Sequence, residues 1–297
     1  MDAAVSVREP GEWSHHNVSA SGVAFHVATA GTGPHTVLLL HDFPLFWWSW
    51  RHQLPALAAA GYRAVALDLR GYGGSDFQPG EVDLTRLAMD VTGVLNALGA
   101  PSYTLVGAGM GGAVAWMMAH QHPQGLTSLV AVSSPHPRSL SPRGIHRATF
   151  TGKRGRYWRL PRRGPKQLQD GTLVSQLLSD WSHPDHREQM AQLAPSYSAP
   201  MKRHFAAESA WETLCATRKV HLDERRVLAR PITVPVWTVR GQADPLVQAR
   251  SVADDPRYVA ARIRRHEVEG AGRYLTEEAP GELTQLLLSH LDEVAPR

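Results

Sequence analysis

The stretch YTLVGAGMGGAVAW (residues 103–116) decides the fold, and it holds two motifs at once. Gly107, Gly109 and Gly112 spell G-x-G-x-x-G between an apolar strand and a helix, the fingerprint of a dinucleotide-binding turn. The same residues also fit a strand-turn-helix elbow of the kind that presents a nucleophile, with glycine where the nucleophile belongs. In a dinucleotide-binding unit the glycines follow the first strand, and a carboxylate about 20 residues on binds the ribose. Here the glycines come late, and no Asp or Glu occurs between Met110 and Arg163. The dinucleotide reading therefore lacks its ribose partner, and no cofactor is expected.

Around this stretch the chain alternates strand and helix. GVAFHVATAG (22–31), TVLLLH (36–41), YRAVALDLRG (62–71), SYTLVG (102–107) and LTSLVAVSS (126–134) read as strands. Between them SWRHQLPALAAAG (49–61), DLTRLAMDVTGVLNALG (83–99) and GGAVAWMMAHQH (111–122) read as helices, two of them stopped by glycine. Such alternation specifies a mostly parallel sheet with helices on both faces. After SSPHP the pattern gives way to a Pro- and Arg-rich segment with helical pieces. It resumes with ITVPVWTVRG (232–241) and IRRHEVEG (263–270), and closes on the helix PGELTQLLLSHLDEV (280–294). The expected organisation is a core in two parts, 1–137 and 229–297, with an inserted helical cap at 138–228.

Composition sets the class. The 297 residues are 43% hydrophobic and 20% charged, enough apolar content for a substantial core. No run approaches the roughly 18 apolar residues of a membrane span, and the N-terminus lacks a basic start followed by an apolar stretch. The single cysteine, Cys215, excludes an internal disulfide and has no activating neighbour in sequence, so a structural role in a reducing, cytoplasmic setting is expected. No metal-ligand spacing is present.

The segments HDFPLFWWSWRHQLPALAAAGYRAVALDLRGYGGSD (41–76), LVGAGMGG (105–112), VSSPHP (132–137), VRGQADPLV (239–247) and EGAGRYLTEEAP (269–280), in this order, together resemble the epoxide hydrolase branch of the α/β-hydrolase superfamily. The inserted segment matches only through LLSDWS (177–182) and its position. The resemblance implies an α/β-hydrolase fold with an inserted helical cap. It also implies an Asp at the elbow that attacks an electrophilic carbon, a His that activates water against the resulting ester, and an acid that orients the His. Where that family has G-H-D-x-G-G, this chain has Gly107 to Gly112, which puts Gly109 at the nucleophile position. Where the family has its histidine, Arg273 stands, a group that cannot accept a proton at working pH. Of the three, only the acid, Asp244, remains. The anion-hole positions fall on Phe43 and Met110, and the family's H-G-x-P becomes H-D-F-P, so Asp42 departs from the pattern.

These departures imply a degenerate hydrolytic triad and a non-catalytic protein, one that binds a small apolar ligand under the cap or acts as an interaction module. The alternatives are an enzyme of altered chemistry in the same pocket, a cyclase or isomerase acting by positioning, or a hydrolase with an unrecognised nucleophile. Asp42 as a displaced nucleophile and Asp42 as a turn-capping or solvated residue both stay open. Arg273 either pairs with Asp244 or swings into solvent. Ser133 and Ser134 end a strand on the catalytic edge, with no histidine assignable to them. Phe46, Trp47, Trp48 and Phe43, two of them equally fitted to the core, are candidates to line a cleft, with Tyr157 from the cap as a further pocket candidate. The cap's tyrosines, Tyr157 and Tyr197, lie outside the family's sequence context for the residues that polarise an epoxide oxygen.

Residues 138–166 carry ten Arg or Lys and no Asp or Glu, while the whole chain is +4. Arg154, Arg156, Arg159, Arg162 and Arg163, interleaved with aromatics, suit an anionic membrane surface or an acidic protein, which would make the protein peripheral at a membrane. A solvated face accounts for them equally. No motif supports specific nucleic-acid binding.

Overall fold

The computed structural model describes residues 7–77, 82–121, 123–140, 163–218 and 220–295. Its centre is one sheet of eight strands: β1 (Ser14–Ala20), β2 (Val23–Ala30), β3 (Thr36–Leu40), β4 (Arg63–Leu67), β5 (Tyr103–Ala108), β6 (Leu126–Val132), β7 (Val236–Gly241) and β8 (Ile263–Val268). Their spatial order is β1-β2-β4-β3-β5-β6-β7-β8. β1 and β2 pair antiparallel, β2 joins β4 antiparallel, and every later pairing is parallel. The result is an α/β-hydrolase fold with a mostly parallel sheet.

Burial follows the strand sequences. Every residue of β3 (TVLLL) is buried, as a strand covered on both faces requires. At the edge, β8 (IRRHEV) buries only Val268. Strand β1 (SHHNVSA) goes beyond the sequence expectation: it buries a single residue, Val18, so it carries no apolar alternation to read. Its place is fixed by backbone pairing with β2.

Helices α1 (Gln53–Ala59), α2 (Leu84–Ala97) and α3 (Gly109–His120) join the first strands. Asp83 caps α2 by accepting from the Arg86 N–H at 2.7 Å. All twelve residues of α3 are buried, which fits a sequence apolar on every face, of Gly, Ala, Val, Met and Trp, up to its last residue His120. Between β6 and β7 the chain runs through α4 (Gly164–Gln169), α5 (Thr172–Trp181), α6 (Arg187–Ser198), α7 (Ala206–Arg218) and α8 (Leu222–Val227). After β8 come α9 (Leu275–Glu278) and α10 (Pro280–Val294). No described helix is long and apolar enough to cross a membrane. Tyr157, Arg154, Arg156, Arg159 and Arg162 lie outside the described residues, and Arg163 is exposed at the start of α4.

Candidate active site

The parallel strands point their C-terminal ends at one edge, where ligands bind in such sheets. β5 reaches this edge and turns into α3 at Gly109, whose φ of +45° lies in the left-handed region that glycine tolerates best. The elbow is therefore formed. A Cβ on Gly109 would lie 1.9 Å from Oδ1 of Asp42, so the place of an elbow side chain is filled by a carboxylate from the loop after β3.

Asp42 is 2% exposed and tightly held. Its Oδ1 accepts from the backbone N–H of Phe43 at 2.8 Å and from that of Met110 at 2.8 Å. These are the two anion-hole positions of the sequence, and both donors converge on one oxygen. Met110 also sits in the first turn of α3, whose N-terminal end favours negative charge. Arg273 adds an Nη2 donor to Oδ1 at 3.1 Å, while its Nε lies 2.7 Å from Oδ2. That last contact is ionic and poorly aligned, leaving Oδ2 and Nε without a directed hydrogen bond. Oδ1 thus carries three donors, while Oδ2 is buried and meets only the ionic contact with Nε.

Arg273 is buried rather than turned into solvent; it pairs with Asp244, whose Oδ2 stands 3.9 Å from its Nη1, and more closely with Asp42, a partner the sequence did not indicate. Burial opposes the Arg273 charge, but Asp42 and Asp244 more than offset it and raise its pKa. The guanidinium also donates to the Ser133 carbonyl at 3.4 Å and lies 5.3 Å from the Trp181 ring. Asp244 accepts from the N–H groups of Leu246 (2.8 Å) and Val247 (3.0 Å) through Oδ1. Burial raises its pKa to about 6, against the pull of Arg273.

The other candidates separate. Trp47 belongs to the core rather than to a cleft: it is fully buried, donates from Nε1 to the Val7 carbonyl, and packs edge-on to Trp13 at 5.4 Å. Phe46 and Trp48 meet Tyr197 of α6 at 5.7 and 5.5 Å. The Tyr197 hydroxyl is engaged by Glu277, which is also bound by both terminal nitrogens of Arg51. Ser133 adopts φ +47°, and its buried hydroxyl has no partner among the described residues, so no base is in place for it. His41 is committed at both ring nitrogens, Nδ1 to the Asp42 carbonyl (3.0 Å) and Nε2 to the Leu69 N–H (3.1 Å).

Sequence reasoning missed Tyr274. It follows Arg273 directly, is 2% exposed, stacks on Trp181 at 6.2 Å, and its hydroxyl has no partner among the described residues. The only signal in sequence was its adjacency to the base position.

Residues 35–280 match the alpha/beta hydrolase fold family. Epoxide hydrolase A of Mycobacterium tuberculosis is 29% identical over 92% of this chain and 96% of its own. Epoxide hydrolase 3 of Siraitia grosvenorii is 43% identical over 40% of this chain, and that match spans only 38% of the relative. The crystal structure of epoxide hydrolase A from Mycobacterium thermoresistibile superposes with a TM-score of 0.80 at 25% identity, covering 96% of this chain and 100% of that one. These relatives overturn the expectation of a non-catalytic protein that has lost its hydrolytic machinery. The likeness to proteins named as epoxide hydrolases runs nearly end to end. The physical reason the expectation failed is that a vacancy at Gly109 in the sequence is not a vacancy in space, since Asp42 fills it.

Proposed function

The chain belongs to the alpha/beta hydrolase fold family, and from that premise we propose that it hydrolyses epoxides through a covalent ester on Asp42. The observation that carries this reading is the Asp42 carboxylate, seated where a side chain on Gly109 would be and held by the N–H groups of Phe43 and Met110. Oδ2 attacks a ring carbon and opens the C–O bond. Water then attacks Cγ of the ester, and negative charge develops on Oδ1, which already faces two fixed donors. Such preorganised donors lower the barrier because they need not reorient as charge appears, each contributing about 100- to 1,000-fold. We take Phe46 and Trp48, whose rings pack against Tyr197, as the apolar contacts of an aryl or alkyl epoxide.

The test is rapid-quench peptide mapping with styrene oxide. The reading expects an alkyl ester on the peptide containing Asp42, and loss of diol formation in Asp42→Asn. An ester on another carboxylate, or undiminished turnover by Asp42→Asn, would overturn it.

A further inference from the structure

Hydrolysis through Asp42 leaves two protons unassigned, because Arg273 cannot take one, His41 has no free nitrogen, and Asp244 is held behind Arg273 by their ion pair and two backbone N–H groups. We infer that Tyr274 carries both, as the acid that protonates the opening epoxide oxygen and then, as phenolate, as the base that deprotonates the hydrolytic water. The inference rests on Asp42 being the nucleophile.

Three observations converge on this side chain. Tyr274 is buried beside Arg273, on the loop that places the guanidinium against Asp42. Its hydroxyl has no hydrogen-bond partner among the described residues, which is costly for a buried phenol unless a substrate or water completes it. The ring is fixed, stacked on Trp181 at 6.2 Å, with the Tyr274 N–H donating to Glu278 Oε1 at 2.9 Å.

The charges around it suit a two-way proton carrier. Burial, then the neighbouring Asp42 carboxylate, hold the phenol pKa well above its ordinary value, while Arg273 works in the opposite direction and Glu278 and Asp244 add to the rise. In the resting site the phenol is therefore protonated and ready to donate. When Asp42 is esterified its charge disappears, so one cause of the raised pKa is lost. Arg273, released from its ion pair, is then free to stabilise the phenolate. Arginine at the position of a base acquires a role that a general base could not fill.

The atoms balance. Asp42 Oδ2 forms a bond to carbon, the ring C–O bond breaks, and the oxygen takes the Tyr274 proton, giving a hydroxy-ester and a phenolate. The phenolate removes a proton from water as the oxygen bonds Cγ. The tetrahedral adduct breaks its Cγ–O(alkyl) bond, and the departing alkoxide takes the proton of the new carboxylic acid. Diol, carboxylate and phenol result, and the sum is epoxide plus water.

Tyr274→Phe removes only an unpartnered hydroxyl, so the fold is expected to be unharmed. The same change is expected to lower kcat by about 100-fold or more, in the range of general acid–base catalysis, with KM for styrene oxide nearly unchanged. Fluorinated tyrosine incorporated at 274 distinguishes chemistry from packing: the basic limb of the pH–rate profile is expected to move to lower pH as the phenol becomes more acidic. Wild-type kcat in Tyr274→Phe, or an unmoved limb with fluorotyrosine, overturns the role of Tyr274 while an ester mapped to Asp42 leaves the nucleophile standing. If the intact protein forms no Asp42 ester, both assignments fall.

Discussion

Gly109 and Asp42 compete for one volume. With φ at +45°, any other residue at 109 pays about 1–2 kcal/mol for its left-handed backbone, and a Cβ there meets Asp42 Oδ1 at 1.9 Å. Gly109→Asp alone is expected to destabilise the protein by about 3–5 kcal/mol, combining that strain with overpacking and the meeting of two carboxylates. Adding Asp42→Gly removes the overlap and the like charge. The double variant is expected to recover at least half of the loss in urea unfolding, a coupling that independent sites would not show. Simple additivity of the two changes would mean that the carboxylates do not share the site. The residue types at this edge were legible in sequence: Gly109, Asp42, Arg273 and Asp244 all stood out. Their pairing was not, because Asp42 and Arg273 are 231 positions apart and a linear motif carries no direction for a side chain.

At the scale of elements, the site is held by contacts that cross from the segment between β6 and β7 to α9 and the loop before it. The Arg273 N–H donates to the Trp181 carbonyl at 2.9 Å, and the His183 N–H donates to Glu278 at 2.7 Å. Glu277, with no exposed side-chain surface, receives Arg51 and Tyr197 together, while Arg51 also lies 3.8 Å from the Trp48 ring centre. Removing the carboxylate by Glu277→Ala strands a largely buried guanidinium, and a loss of about 3–5 kcal/mol is expected in denaturant titration. A change under about 1 kcal/mol would place this ion pair among weak, solvated ones. The same loosening is expected to reduce turnover, since Tyr274 precedes α9 directly. Strong periodicity made α2 and α10 readable, with Gly99 as the visible stop of α2, whereas the Asp83 cap emerged only in the structure. The network around Glu277 was not readable, because TEEAP (276–280) offers two adjacent glutamates and nothing local distinguishes their partners.

For the molecule as a whole, the parallel sheet was legible because its central strands are continuous apolar runs separated by helices of clear period. The fold also buries ionisable groups away from the site, and Asp255 is one whose burial links stability to pH. Asp255 is fully buried, and burial raises its pKa to about 7 against the hydrogen bonds from the His136 N–H and the Ser139 hydroxyl. The folded chain therefore keeps a proton that the unfolded chain has released, and this group's contribution to stability falls as pH rises from about 4 to about 7. Asp255→Asn is expected to match the parent near pH 4 and to exceed it by about 2–4 kcal/mol at pH 8. An advantage that does not change with pH would remove Asp255 from the account.

An ester on Asp42 is distinguished from direct attack of water by one turnover in water enriched in ¹⁸O with enzyme in excess over epoxide. Attack of water on Cγ of the ester leaves the label in Asp42 and gives an unlabelled diol, because the oxygen passed to the product comes from the carboxylate. Label is expected in the peptide containing Asp42. Label in the first-formed diol, with none in the protein, would mean that water attacks the epoxide directly and would contradict the ester.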